Sequence, residues 1–213
     1  MHILFIGYGK TSARIAKQLF EQGHQISTIS RSAKTDSCAT HHVQDVHQLD
    51  LSSLAPIDWV YVLLSPDQST LEAYQQTYLA AYPDQCTIIR PSGIYGASVA
   101  RLEKMARSMF SYPNLHWANR IHIEDLSRFM TEMIHVEHLE SSYILTNNQP
   151  QLLHEVLQWF QQQMRLPLLK VDSEQVTGKK LYAIRMQKMG YELKHPDCYE
   201  DYLELMKLSP HLE

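Results

Sequence analysis

An α/β fold built on a doubly wound parallel sheet, with a small and mostly helical lobe at the C-terminal end, is predicted by three features of the sequence. Short apolar runs alternate with segments of helical periodicity through most of the first 146 residues. One of those runs, Trp59 to Leu64, is apolar at every position, as in a strand covered by helices on both faces. The first run leads directly into Gly7-Tyr8-Gly9 and then into a helical pattern, the order strand, tight turn, helix.

Taken in order, Ile3 to Ile6 is the first strand, and Ala13, Ile15, Ala16 and Leu19 recur at helical spacing up to Gly23, which closes that helix. Gln25 to Ser30 is the second strand and completes a β-α-β unit. From Arg31 to Pro56 the chain is polar, and only a brief edge strand near His42 to Gln44 is expected there. After the strand at Trp59 to Leu64, the turn Ser65-Pro66-Asp67 leads to a helix carrying Leu71, Tyr74, Tyr78, Leu79 and Tyr82, which Pro83-Asp84 ends. Cys86 to Ile89 is the next strand.

Val99, Leu102, Ala106, Met109 and Phe110 share one side of a further helix, and Leu126, Phe129, Met130, Met133 and Ile134 form the stripe of another that starts near Glu124. Ser142 to Thr146 is a strand. Leu152 to Met164 is strongly amphipathic, and Leu181–Met189 and Tyr199–Met206 read as shorter helices. This divides the chain into a Rossmann-type part at 1–146 and a small lobe at 147–213, with 97–118 as a segment able to contribute to the lobe.

Composition excludes several classes of function. With 213 residues, 44% hydrophobic and 20% charged, the chain is a globular protein of one domain or one domain with a lobe. Nineteen basic against 23 acidic side chains leave a formal charge of −4, so no global field draws it to nucleic acid or anionic lipid. Cys38, Cys86 and Cys198 are few and widely spaced, which fits neither a disulfide framework nor a C-x-x-C zinc site, and points to a reducing cytoplasm. The opening apolar run lacks a basic flank and is cut by glycine, unlike a signal peptide, and no run approaches the roughly 20 residues that cross a bilayer. G-x-S-x-G, P-loop and H-E-x-x-H patterns are absent.

Gly7-Tyr8-Gly9-Lys10-Thr11-Ser12 stands where a dinucleotide fingerprint G-x-G-x-x-G belongs, with Ser12 in place of the third glycine. The first glycine permits the turn, the second lets backbone approach a pyrophosphate, and the helix that follows offers oriented N–H groups and partial positive charge. The alternative is an ordinary glycine turn. An NAD site commonly places a carboxylate about 20 residues on, yet here the second strand ends in Ser30-Arg31-Ser32 and no acid occurs between Glu21 and Asp36. A guanidinium among hydroxyls suits a 2′-phosphate, which favours NADP(H), with NAD(H) as the alternative. Arg31 and Lys34 also read simply as solvated charges. Leu64 and Ser65, at the carboxyl end of their strand, join the cofactor-binding set.

Gly7-Tyr8-Gly9, Arg90-Pro91-Ser92-Gly93-Ile94-Tyr95-Gly96 and Asn119-Arg120-Ile121-His122-Ile123-Glu124-Asp125-Leu126, in that order, resemble the atypical extended short-chain dehydrogenase/reductases, the NAD-dependent epimerase/dehydratase type that includes nucleoside-diphosphate-sugar epimerases. Gly178 to Leu193 is similar to the C-terminal lobe of the same group. The resemblance implies that Pro91, Ser92 and Gly93 line the nicotinamide end of the cofactor and that the stretch containing His122 borders the substrate cleft. For His122, a histidine satisfied by local hydrogen bonds at the start of the next helix is an equal reading.

The chain departs from that group in one respect. The group's reductive chemistry uses Tyr-x-x-x-Lys, in which lysine lowers the tyrosine pKa for proton exchange during hydride transfer. None of the 12 tyrosines here has lysine four residues later, and only Pro83, Asp84 and Gln85 separate Tyr82 from Cys86, where a strand and helix belong. The strand at Cys86 is therefore expected beside that at Trp59, and the Tyr74, Tyr78, Tyr82 stripe is expected in the core or at a homodimer interface. Two functions remain. One is an oxidoreductase or epimerase acting on an unidentified carbonyl or nucleotide-sugar substrate, with the proton carried by Tyr95, Ser92 or His122; the other is a non-catalytic cofactor sensor or interaction protein. No metal is expected: His41, His42 and His47 read as solvated loop, and for His135 and His138, three apart on a helix with Glu132, a shared face and plain helix-surface polarity are equal readings.

Overall fold

The computed structural model describes residues 1–45, 50–52, 54–63 and 85–208, which form two compact units. The first unit comprises Met1–Cys86 with Ser127–Ser141, and the second Thr87–Leu126 with Ser142–Glu213. Residues 97–118 thus fall in the same unit as the C-terminal residues.

In the first unit, β1 (His2–Ile6), β2 (Gln25–Ser30), β3 (Thr40–Val43) and β4 (Trp59–Val62) make a parallel sheet in the order β3-β2-β1-β4. Ile3 is paired with Ile26 on one side and Trp59 on the other, which fixes the register at the sheet centre. Helix α1 (Lys10–Glu21) buries Ser12, Ile15, Ala16 and Leu19, the i, i+3, i+4, i+7 set of a core-facing stripe. It ends at Gly23, whose φ of +86° allows the Gly23 and His24 amides to bond back to Phe20 and Leu19. Ile3, Leu4, Phe5, Ile15 and Leu19 are fully buried, a gain of about 1.5–3 kcal/mol each relative to exposure.

Helix α3 (Ile123–Glu132) starts in the second unit and continues into the first, where Thr131 Oγ1 donates to Gln18 Oε1 at 2.8 Å and the phenol of Tyr61 donates to the Met130 carbonyl.

The second unit contains β5 (Ile88–Pro91), β6 (Gly93–Tyr95), α2 (Ala100–Ser108), β7 (Ser111–Tyr112), β8 (Leu115–Ala118), β9 (Arg120–His122), β10 (Ser142–Leu145), β11 (Gln151–Leu152), α4 (Leu153–Gln163), β12 (Lys170–Val171), β13 (Val176–Gly178), α5 (Ile184–Lys188) and α6 (Cys198–Leu208). β5 pairs in parallel with β10, and β6 with β9. Val99, Ala106, Val156, Leu157, Phe160, Cys198 and Tyr202 form its core. Buried Gln161 ties α4 to the end of α2, donating to the Ala106 and Met109 carbonyls and accepting the Leu169 amide.

Several expectations are corrected. The strand after Cys86 starts at Ile88 and takes its ladder from β10, while among the described residues β4 has its ladder with β1. His41 and His42 stand on β3, where His41 Nδ1 lies 2.6 Å from Thr28 Oγ1, because that register pairs Thr28 with His41. His135 closes a 3₁₀ turn (Met133–His135) and His138 lies beyond it, so the two do not share a helix. His47 and the Tyr74, Tyr78, Tyr82 stripe with its expected homodimer lie outside the described residues.

Candidate functional site

The glycine turn has the form that a phosphate cradle requires. Gly7 takes φ +89°, and its amide bonds the Ile29 carbonyl at 2.9 Å, holding the turn to the end of β2. Gly9 is the N-cap of α1 and has no side-chain capping partner, and the first turn, with Lys10 and Thr11, carries no acid. Among the described residues, a Cβ built on Gly9 meets nothing within 4 Å. Ser12 is buried and donates to the Gly7 carbonyl at 2.8 Å, which explains how serine serves where the third glycine belongs. Oriented N–H groups and the positive helix end behind Gly9 together fit a pyrophosphate.

At the end of β2 the Ser30 hydroxyl donates to the Ser32 carbonyl at 2.7 Å and shapes the turn, whereas Arg31 and Ser32 are exposed. Tyr8 is buried, with its hydroxyl 3.6 Å from Cys38 Sγ; the thiol in turn donates to Asp36 at 2.9 Å. Burial and these neighbours push the Tyr8 phenol pKa well up, so it stays protonated. Leu64 and Ser65 lie outside the described residues.

The second unit holds the remaining candidates. Pro91 ends β5, and the Ser92 amide bonds the Leu145 carbonyl at 2.9 Å, while Ser92 Oγ is buried without a hydrogen-bond partner. Pro91, Ser92 and Gly93 line a cavity of about 510 Å³ with Trp117, Arg120 and Leu181. Lys180 Nζ lies 4.1 Å above the centre of the Trp117 ring.

His122, at the end of β9, is buried, and its Nδ1 accepts the Glu124 amide at 3.2 Å. That bond leaves the proton of the neutral ring on Nε2. Burial and the neighbouring His195 hold its pKa below the ordinary histidine value. The ring stacks on His195 at 3.5 Å between centres and packs so closely on Gly96 that a Cβ there would sit 2.1 Å from His122 Nε2.

His195 bridges two carboxylates, with Nδ1 2.7 Å from Asp201 Oδ1 and Nε2 3.2 Å from Glu124 Oε2. Burial disfavours its charge, but the two acids outweigh burial and its pKa lies above the ordinary value. The hydrogen bond from Lys194 Nζ at 2.8 Å, then that of His195, bring Glu124 down to about 2. Asp125 accepts the amides of Lys194 and His195, both at 2.9 Å, fixing that segment's backbone. Tyr95 donates to Asp201 Oδ2 at 2.6 Å, and burial followed by this carboxylate drives its pKa far above the ordinary phenol value.

Comparison with known proteins was decided by structure. No family model matches the chain, and no curated protein sequence matches it. A structure assigned as an NAD-dependent epimerase/dehydratase, from Methylobacillus flagellatus, is 25% identical, with a TM-score of 0.80 over 97% of this chain and 98% of that one. UDP-N-acetylglucosamine 4-epimerase from Bacillus cereus aligns over 100% of this chain and 98% of its own at 11% identity and TM-score 0.69. UDP-glucose 4-epimerase from Bifidobacterium longum, in complex with NAD⁺ and UDP, aligns over 99% of both chains at 11% identity and TM-score 0.66. The chain has the extended epimerase/dehydratase fold.

Within this epimerase/dehydratase fold, the structure brings Tyr95 and His122 together, at 5.0 Å between ring centres, and adds Glu124, His195 and Asp201 to them. Sequence reading singled out the stretch containing Glu124 but assigned no role to His195 or Asp201, which lie over 70 residues further along the chain. No local pattern marks them. The expectation of no metal rested on spacing along helices, whereas the fold places one ligand atom each of His122, Glu124 and His195 within 4.8 Å of one another.

Proposed function

We propose that the chain is an NAD(P)(H)-dependent oxidoreductase or epimerase acting on a carbonyl or nucleotide-sugar substrate in the cytoplasm. The observation that carries this reading is the N-terminus of α1 behind Gly7 and Gly9, which has no side-chain cap and no acid in its first turn, and where among the described residues nothing lies within 4 Å of a Gly9 Cβ. The nicotinamide, when bound, supplies hydride acceptance and donation. Exposed Arg31 supports NADP(H) over NAD(H), since a guanidinium suits a 2′-phosphate.

Of the three proton-carrying candidates, His122 has the best-suited chemistry. Its ring is neutral and its tautomer is fixed by the Glu124 amide, so Nε2 carries the proton, which reaches a developing oxyanion once the ring moves off Gly96. Tyr95 is the opposite of an activated phenol, being held by a carboxylate that raises its pKa. Ser92 lines the cavity, but its hydroxyl oxygen is buried and offers no surface to a substrate.

Calorimetric titration with NADP⁺, NADPH, NAD⁺ and NADH, repeated with Arg31→Ala, tests the cofactor assignment. Tight binding of the phosphorylated pair, weakened by the substitution, is the expected result, and absence of binding to all four overturns it. Oxidation of NADPH in the presence of carbonyl or nucleotide-sugar substrates, slowed in His122→Asn with cofactor affinity kept, tests the chemistry.

A second reading, a non-catalytic cofactor sensor, is favoured by the lack of Tyr-x-x-x-Lys together with the raised pKa of Tyr95. It requires different affinities for the oxidised and reduced cofactor and no turnover with any substrate.

A further inference from the structure

We propose that His122, Glu124 and His195 form a binding site for a divalent transition-metal ion of the zinc type, with Asp201 orienting His195 behind it. One ligand atom from each of the three residues lies within 4.8 Å of the other two. His195 Nε2 and Glu124 Oε2 are 3.2 Å apart. Two donors sharing a tetrahedral zinc ion at about 2.0–2.1 Å stand roughly 3.3 Å from each other, so this pair is already spaced as neighbouring ligands.

Surrounding groups hold the donors in that arrangement. His195 Nδ1 lies 2.7 Å from Asp201 Oδ1, the carboxylate–histidine relation that directs the other ring nitrogen to a metal. Tyr95 donates to the second Asp201 oxygen, and Asp125 accepts the backbone amides of Lys194 and His195. Lys194 occupies Glu124 Oε1, which leaves Oε2 turned to His195. The donor set is two imidazoles and one carboxylate, a combination that suits zinc, whereas calcium and magnesium take oxygen ligands.

Without an ion, a proton occupies the gap between His195 Nε2 and Glu124 Oε2, and the ring of His195 stacks on neutral His122. The ion takes the place of that proton, which leaves to solvent, and His122 turns a nitrogen toward the ion. The contact given up is the long 3.2 Å bond from the Glu124 amide, which is among the weaker in the cluster. All the residues concerned belong to one unit, and metal affinity is read without cofactor or substrate, so this inference fails or holds separately from the proposed enzymatic activity.

The test is titration of the chelator-treated full chain with zinc chloride, followed by competition against a chromophoric chelator, for the wild type, Glu124→Gln, His195→Gln and Asp201→Asn. One ion per chain is expected, with affinity reduced about 10–100-fold in Asp201→Asn and at least as much in the two ligand variants. Cobalt(II) should give the intense visible bands of a tetrahedral nitrogen and oxygen site in the wild type and lose them in Glu124→Gln. Zinc affinity unchanged in Glu124→Gln, or a wild-type cobalt spectrum without those bands, overturns the site. If His195→Gln loses the wild-type far-ultraviolet circular dichroism, the isosteric Glu124→Gln and the wild-type cobalt spectrum still decide.

Discussion

Tyr95 donates a hydrogen bond from its phenol to Asp201 Oδ2 at 2.6 Å, joining β6 to α6. A carboxylate accepting from a buried phenol stabilises the protonated form, so this hydroxyl is a fixed structural donor and a poor proton shuttle. Tyr95→Phe removes a charge-assisted bond and leaves an Asp201 oxygen without its donor, a loss of about 2 kcal/mol. The melting temperature should fall by roughly 4–8 °C, while cofactor affinity stays unchanged. A melt at the wild-type temperature would show that water replaces the phenol at no cost.

Gly96 and Gly9 make a contrasting pair. At Gly96 the backbone has φ +103° and a Cβ would lie 2.1 Å from His122 Nε2, so Gly96→Ala must both strain the turn and displace the imidazole. The expected cost is about 2–4 kcal/mol, measurable by denaturant unfolding, with a shift of the His122 ring resonances.

Gly9→Ala acts in the opposite sense. The backbone there has φ −106°, which alanine adopts freely, and nothing lies within 4 Å of the new methyl group. Stability should change by less than about 1 kcal/mol, yet the methyl fills the space assigned to a pyrophosphate. Dinucleotide affinity is therefore expected to drop at least about tenfold at an unchanged melting temperature, an outcome that calorimetry and a thermal melt distinguish from unfolding.

How much of this was legible in the sequence varies with the range of the interactions. α1 and the β1–β2 unit were legible because period and capping glycine are local: Ile15, Ala16 and Leu19 face the core, and Gly23 ends the helix as its position suggests. Strands β7, β8, β11, β12 and β13, each two to four residues long, were not, since so short a run carries no measurable alternation and depends on partners far along the chain. The site shows the same division. Gly7 and Gly9 were readable as a turn, and His122 as a candidate, but the His195 to Asp201 bond depends on α6 returning to β6 and β9. No sequence spacing encodes that return.

The charge state of the His195 cluster gives the protein a particular pH dependence once it is freed of metal by chelation. His195 faces Glu124 and Asp201, Asp125 adds to the negative field, and neutral His122 stacks on its ring; Lys194 sits on the far side of Glu124. Its folded-state pKa is raised above the ordinary value of 6.5, so its stabilising contribution is complete below about 6.5 and is lost as pH rises through the folded value. Glu124 is held down at about 2, so its contribution is complete above roughly 4.5 and is lost as pH falls toward 2. Both describe the same ion pair, and its contribution is complete in the window between about 4.5 and 6.5. Exposure of Glu124 to solvent keeps the effect modest and salt-sensitive. Thermal melts of the chelated chain across pH 4–9 should therefore show stability from this cluster declining on the alkaline side, and Glu124→Gln should flatten that decline. An alkaline limb of equal slope in the two proteins would place the titrating group elsewhere than His195.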